Sequence, residues 1–187
     1  MKIALIDSYD SFTFNIAHYL ERFVEQCDVI PVDQVSINQL ESYDRIVLSP
    51  GPGLPNERVE LYEVIKSYYT RKPILGICLG HQAIAEFFNA QLFNMKEVHH
   101  GFARNMLLSN DELWETLPKA IKSARYHSWA VSQKNFSDDL KVIAIDAENK
   151  HIMAIKHKSY PIIGLQFHPE SVLTENGLQI IENWIKY

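Results

Sequence analysis

The stretch Pro73-Ile74-Leu75-Gly76-Ile77-Cys78-Leu79-Gly80-His81-Gln82-Ala83-Ile84-Ala85-Glu86-Phe87-Phe88 decides the fold. Pro73 to Leu75 forms a short apolar strand and Ala83 to Phe88 a helix, so Cys78 stands on the bend between them. Gly76 and Gly80 flank it two residues away on either side. A strand-to-helix bend this sharp leaves no room for side chains at those positions, and it lifts the apex residue to where a ligand can reach it. Cys78 is therefore a candidate nucleophile whose thiolate gains from the positive end of the helix behind it. The alternative, a cysteine packed as a small hydrophobe, suits Cys27, which has no flanking glycines.

Outward from the bend, the first half alternates strands and helices. Ile3 to Ile6 is a fully apolar run, as in a buried parallel strand. Phe12, Ile16, Leu20 and Phe23 or Val24 recur at helical spacing, with Asp10 or Ser11 as cap. Cys27 to Val32 and Arg45 to Ser49 are further strands, and a helix runs from about Val59 to Tyr69. The pattern β-α-β-(α)-β-α-β-α predicts a doubly wound parallel sheet. The second half changes rhythm, with strands at Ala124–Val131, Lys141–Ile145, Ile152–His157 and Ile162–Phe167, and a turn at Glu148-Asn149-Lys150. These predict antiparallel additions to the sheet. A final helix from Thr174 or Glu175 carries Leu178, Ile181, Trp184 and Ile185 on one face. The expectation is a three-layer α/β fold in one domain, residues 1–187, without repeats or linkers.

Composition narrows the function classes. With 47% hydrophobic and 22% charged residues the chain is an ordinary globular one. A net charge of −5 argues against a nucleic-acid partner, and Lys156-His157-Lys158 is a solvated face. Two cysteines make no disulfide framework, so a reducing compartment is expected. No signal segment precedes the first strand and no apolar run is long enough for a membrane span. The expected setting is cytoplasmic, with no membrane partner.

About ninety residues after Cys78 comes Gln166-Phe167-His168-Pro169-Glu170-Ser171. His168 is a candidate general base, and Glu170 would orient it and stabilise its charged form. Strand alternation would put both side chains on one face, with Pro169 stiffening the link. Pro50-Gly51-Pro52-Gly53 follows a strand at the sheet edge where open α/β sheets bind ligands. Its amides, with that of Leu79, could hold an oxyanion, although an ordinary Pro/Gly loop has the same composition. His18, His81, His99, His100, His127, His151 and His157 show no metal-ligand spacing and are expected at the surface or in packing. No phosphate-binding glycine loop is present.

Together these three motifs resemble the signatures of the class I, triad-type glutamine amidotransferases, in the right order and over essentially the whole chain. Asp7-Ser8-Tyr9-Asp10-Ser11-Phe12-Thr13-Phe14-Asn15 is similar to an element of the small subunits of anthranilate synthase and aminodeoxychorismate synthase. Arg125-Tyr126-His127-Ser128 and Leu173-Thr174-Glu175-Asn176-Gly177 fit the same subfamily.

The resemblance implies a catalytic triad of Cys78, His168 and Glu170, with an oxyanion hole at Gly53 and Leu79. It implies L-glutamine bound by Gly51, Pro52, Gly53, the Gln82 side chain and the backbone of Ser128 and Trp129. Ammonia would pass through a sheltered channel to a large chorismate-using synthase subunit, with Asp10, Ser11, Phe12 and Asn15 as interface candidates. No cofactor or metal is implied in this chain, whereas the partner would need Mg. Ser8, Phe102 and Trp129 depart from the pattern; the first two are expected to bear on subunit contact, and Trp129 to act through its backbone. The expected function is the glutaminase subunit of anthranilate synthase, in tryptophan biosynthesis. The alternatives are the aminodeoxychorismate synthase subunit of folate synthesis, one subunit serving both, a non-catalytic relict, or a stand-alone thiol hydrolase.

Overall fold

The computed structural model describes residues 1–95 and 101–187; His99 and His100 lie outside the described residues. Five parallel strands form half of a sheet: β1 (Lys2–Asp7), β2 (Gln26–Pro31), β3 (Arg45–Leu48), β4 (Ile74–Ile77) and β11 (Ile162–Leu165). Four more complete it: β6 (Phe102–Leu108), β7 (Ala120–Arg125), β9 (Leu140–Asp146) and β10 (Ile152–His157). The order is β2-β1-β3-β4-β11-β10-β9-β6-β7. Pairing is parallel as far as β11 and antiparallel beyond it. A separate two-stranded ribbon joins β5 (Leu92–Asn94) to β8 (Trp129–Val131).

Four helices cover the sheet: α1 (Thr13–Glu21), α2 (Val59–Tyr68), α3 (Leu79–Phe87) and α4 (Gly177–Lys186). Because strand side chains alternate, β1 feeds two cores. Ile3 and Leu5 pack with Ile16, Leu20, Ile181 and Trp184 of α1 and α4. Ala4 and Ile6 pack with Leu61, Ile65 and Ile84 of α2 and α3. This is the expected three-layer arrangement. No helix among the described residues is long and apolar enough to cross a membrane.

The second half departs from the expected strands in specific ways. The run 124–131 is not one strand: β7 stops at Arg125 and the chain turns before β8. Strands β5 and β6 were not anticipated, because only Met106 of β6 is buried and no apolar alternation marks it. Neither Asp10 nor Ser11 caps α1; Asp10 Oδ1 instead accepts the Phe12 amide at 2.8 Å, fixing the loop ahead of the helix. In α4 Ile180 is buried where Leu178 was expected, so the inner face is Gly177, Ile180, Ile181, Trp184 and Ile185. Between β9 and β10 the turn forms as expected, with Lys150 at φ 63°.

Candidate active site

The bend at Cys78 is as sharp as its flanking glycines require. Strand β4 ends at Ile77 and α3 begins at Leu79, leaving Cys78 at φ 51°, ψ −97°, a conformation that L-residues rarely adopt. The chain on both sides pins it there. Its amide donates to Leu165 O at 2.7 Å, and its carbonyl accepts from the Gln82 amide at 3.0 Å. A Cβ on Gly76 would stand 2.4 Å from the backbone of Gly80, and one on Gly80 2.4 Å from Leu48 O. Both glycines therefore permit close backbone approach. His81 is wholly buried against Gly164, and burial pushes its imidazole down to about 3. It is a neutral packing residue.

His168 and Glu170 lie just beyond β11, and a turn, not strand alternation, brings them together. The Ser171 amide donates to His168 O at 3.3 Å, and His168 Nδ1 meets Glu170 Oε1 at 2.6 Å. The backbone of His168 is anchored to β7, donating to Ala124 O at 3.3 Å. The Thr174 hydroxyl donates to His168 O at 2.6 Å and accepts from the Ala124 amide at 3.0 Å. Both triad side chains are almost fully buried. Burial works against a charged imidazole, yet the neighbouring Cys78 sulfur and the Glu170 carboxylate outweigh it and raise His168 well above the usual histidine range. Phe12 and Tyr126 wall the ring, their centroids 5.8 and 4.9 Å from its own.

The Pro50–Gly53 loop leans on the cysteine bend. A Cβ on Gly51 would stand 2.6 Å from Ser8 Cβ and 2.9 Å from Leu79 Cδ2. Gly53 has φ 83°, and the Leu54 amide is held by Glu57 Oε1 at 3.2 Å. Leu79 is the first residue of α3, so its amide is among the donors a helix start leaves open.

Gln82 Nε2 donates to Trp129 O at 3.0 Å, so two of the predicted glutamine-binding residues are joined. The Ser128 carbonyl accepts from the Met95 amide at 2.8 Å. His127 Nδ1 also meets Trp129 O, at 2.9 Å, which requires Nδ1 to carry the proton. Gln166 was not singled out in the sequence; it is fully buried and lies between Gln82 and Cys78. Its position just ahead of His168 was visible in the motif, but nothing local signals its contacts.

Of the interface candidates, Ser11 and Asn15 are exposed and Asp10 is half-buried. Phe12 faces inward onto His168. Ser8 does not reach the surface: it is fully buried and its amide donates to Ser49 Oγ at 2.8 Å. A role for Ser8 in direct subunit contact is therefore excluded. Cys27 is half-buried, and burial together with Glu21 and Asp28 pushes its thiol up to about 12.

The model of the class I glutamine amidotransferase family matches residues 4–187. Anthranilate synthase component 2 of Saccharolobus solfataricus is 43% identical over 97% of this chain and 96% of its own length. A Bacillus subtilis relative named aminodeoxychorismate/anthranilate synthase component 2 is 37% identical over 98% of this chain and 95% of its own. Among solved structures, a Thermoplasma acidophilum protein assigned to a GMP synthase superposes with a TM-score of 0.88. It is 28% identical, and the match covers 100% of this chain and 92% of the other.

Proposed function

The chain belongs to the class I glutamine amidotransferases, and from that premise we propose that it is the glutaminase subunit of an anthranilate synthase, releasing ammonia for a chorismate-using large subunit. Cys78 Sγ attacks the side-chain carboxamide of glutamine after His168 takes the thiol proton. His168 returns that proton to the departing nitrogen, and ammonia leaves behind a glutamyl thioester. Water, deprotonated by the same imidazole, then cleaves the thioester to glutamate and restores the thiol. Glu170 keeps the imidazole in one tautomer and stabilises its cationic form. The Gly53 and Leu79 amides hold the oxyanion, while Gly51, Pro52, Gln82, Ser128 and Trp129 seat the substrate.

The observation that carries this reading is the buried 2.6 Å contact of His168 with Glu170, next to a cysteine on a strained bend. A partner is supported by exposed apolar side chains that flank the site residues in sequence. Tyr9 and Phe14 lie either side of Phe12, and Val172 and Leu173 follow Glu170; Val172 is 97% exposed. Docking there would cover the site and shelter ammonia from protonation by bulk water. We place Asp10, Ser11 and Asn15 in that interface.

A second reading, service to an aminodeoxychorismate synthase or to both enzymes, is favoured by the double name of the Bacillus relative. The test is to purify the chain with each candidate large subunit, then identify the aromatic product formed from glutamine. Only aminodeoxychorismate would overturn the anthranilate assignment. In either complex Cys78→Ser should abolish glutamine-supported synthesis and spare synthesis from ammonium salts. Equal synthesis from glutamine in wild type and Cys78→Ser would remove the glutaminase reading itself.

A further inference from the structure

The amide orientations in this site determine one another. A backbone carbonyl only accepts, so the atom of Gln82 that lies 3.0 Å from Trp129 O is its nitrogen. That nitrogen also lies 3.2 Å from the Gln166 side chain, and the atom it meets there is therefore Oε1. Gln166 is left with its Nε2 toward Cys78, 3.7 Å from Sγ. Gln166 is fully buried and Gln82 nearly so, so neither amide is turned by solvent.

We propose that Gln166 is a positioning residue for the nucleophile, its amide N–H holding the Cys78 sulfur as thiolate while Gln82 and the Trp129 carbonyl hold that amide in place. This rests on the reading of Cys78 as the nucleophile. An N–H directed at sulfur favours the anion over the thiol. It also restrains Sγ on the side set by the Gln166 amide, while His168 remains the proton acceptor. Both N–H groups of Gln82 are engaged by Trp129 and Gln166, so toward a substrate Gln82 can offer only its oxygen. A glutamine that binds through Gln82 thus touches a chain of amides that ends on the reacting sulfur.

The experiment follows iodoacetamide alkylation of Cys78 against pH in the full-length chain carrying Cys27→Ser. Gln166→Leu should move the pH of half-maximal alkylation upward by about one unit. Gln166→Glu, nearly the same shape but with a negative charge beside sulfur, should move it further. In the complex with the large subunit, both variants should lose kcat for glutamine at least about tenfold while KM stays within about twofold. In the unsubstituted chain the Gln166 side-chain amide resonance should shift with pH in step with alkylation. Unmoved alkylation midpoints in folded variants, or a flat amide resonance should neither variant fold, would overturn the proposal. Failure of the wild-type complex to hydrolyse glutamine would instead remove the underlying reading, and the alkylation midpoints would still report on Gln166.

Discussion

The ring of Phe12 meets the imidazole of His168 nearly edge-on, with centroids 5.8 Å apart and planes at 72°. Phe12 belongs to the loop ahead of α1, between exposed Tyr9 and exposed Phe14. One side chain thus links the surface proposed for docking to the candidate general base. An aromatic contact of this kind contributes about 0.5–1.5 kcal/mol. Phe12→Ala should therefore lower glutamine-dependent kcat about three- to tenfold. Ammonia-dependent synthesis by the complex should stay near the wild-type level. Equal loss in both assays would assign Phe12 to assembly alone.

Gly80 tests the geometry of the bend. An added methyl meets Leu48 O at 2.4 Å and Leu48 Cβ at 2.7 Å, in a region with no flexible side-chain end to yield. Gly80→Ala should destabilise the chain by about 1–3 kcal/mol, the usual cost of overpacking a core. Urea denaturation measures this directly. An unchanged midpoint would mean that the bend is looser than described.

Glu170→Gln should lower glutaminase activity by about 10³–10⁴-fold with little change in fold, as expected for a carboxylate that acts on the imidazolium state. The pH dependence of stability gives a second measure. His168 is raised in the folded chain by Cys78 and Glu170 against the opposing effect of burial. Its contribution is therefore complete below the unfolded histidine value of about 6.5 and is lost as pH climbs through the raised folded value. The stability gap between wild type and Glu170→Gln should accordingly narrow as pH rises above about 6.5. Thermal melts across that range check it, and a gap that widens with pH contradicts the assignment.

Arg125 and Asp146 form an ion pair with both side chains fully buried. Asp146 also accepts the Glu148 and Asn149 amides at 2.6 and 2.9 Å, closing the turn between β9 and β10. Burial alone would raise this carboxyl, but the two amides and Arg125 hold it below its usual value. Asp146→Asn leaves an uncompensated buried guanidinium and should cost about 3–5 kcal/mol at neutral pH. In wild type that contribution should persist above about pH 4 and fade as pH drops through the depressed value. A denaturation series at pH 2–7 reads both.

Much of this molecule could be anticipated where the signal is local. The glycines around Cys78 are required by contacts within a few ångströms along and beside one bend, and a bend has few chemical solutions. Parallel strands buried on both faces read as unbroken apolar runs, which is why β1, β3 and β4 were recognisable. The antiparallel end was less legible. Strand β6 buries a single side chain, and the break between β7 and β8 falls in a run whose residues would equally suit one strand.

From its sequence alone this protein had a strained cysteine bend, a parallel half-sheet and a His-Pro-Glu segment, because each depends on neighbours in the chain. Only the tertiary structure decided that Ser8 is interior, that Phe12 faces His168, and that Gln166 lies between Gln82 and Cys78. Gln82 and Gln166 are 84 residues apart, and Gln166 and Cys78 are 88 apart. Which way a buried amide points is set by the one partner that cannot reverse its role, here the Trp129 carbonyl, and that partner is supplied by another element of the fold.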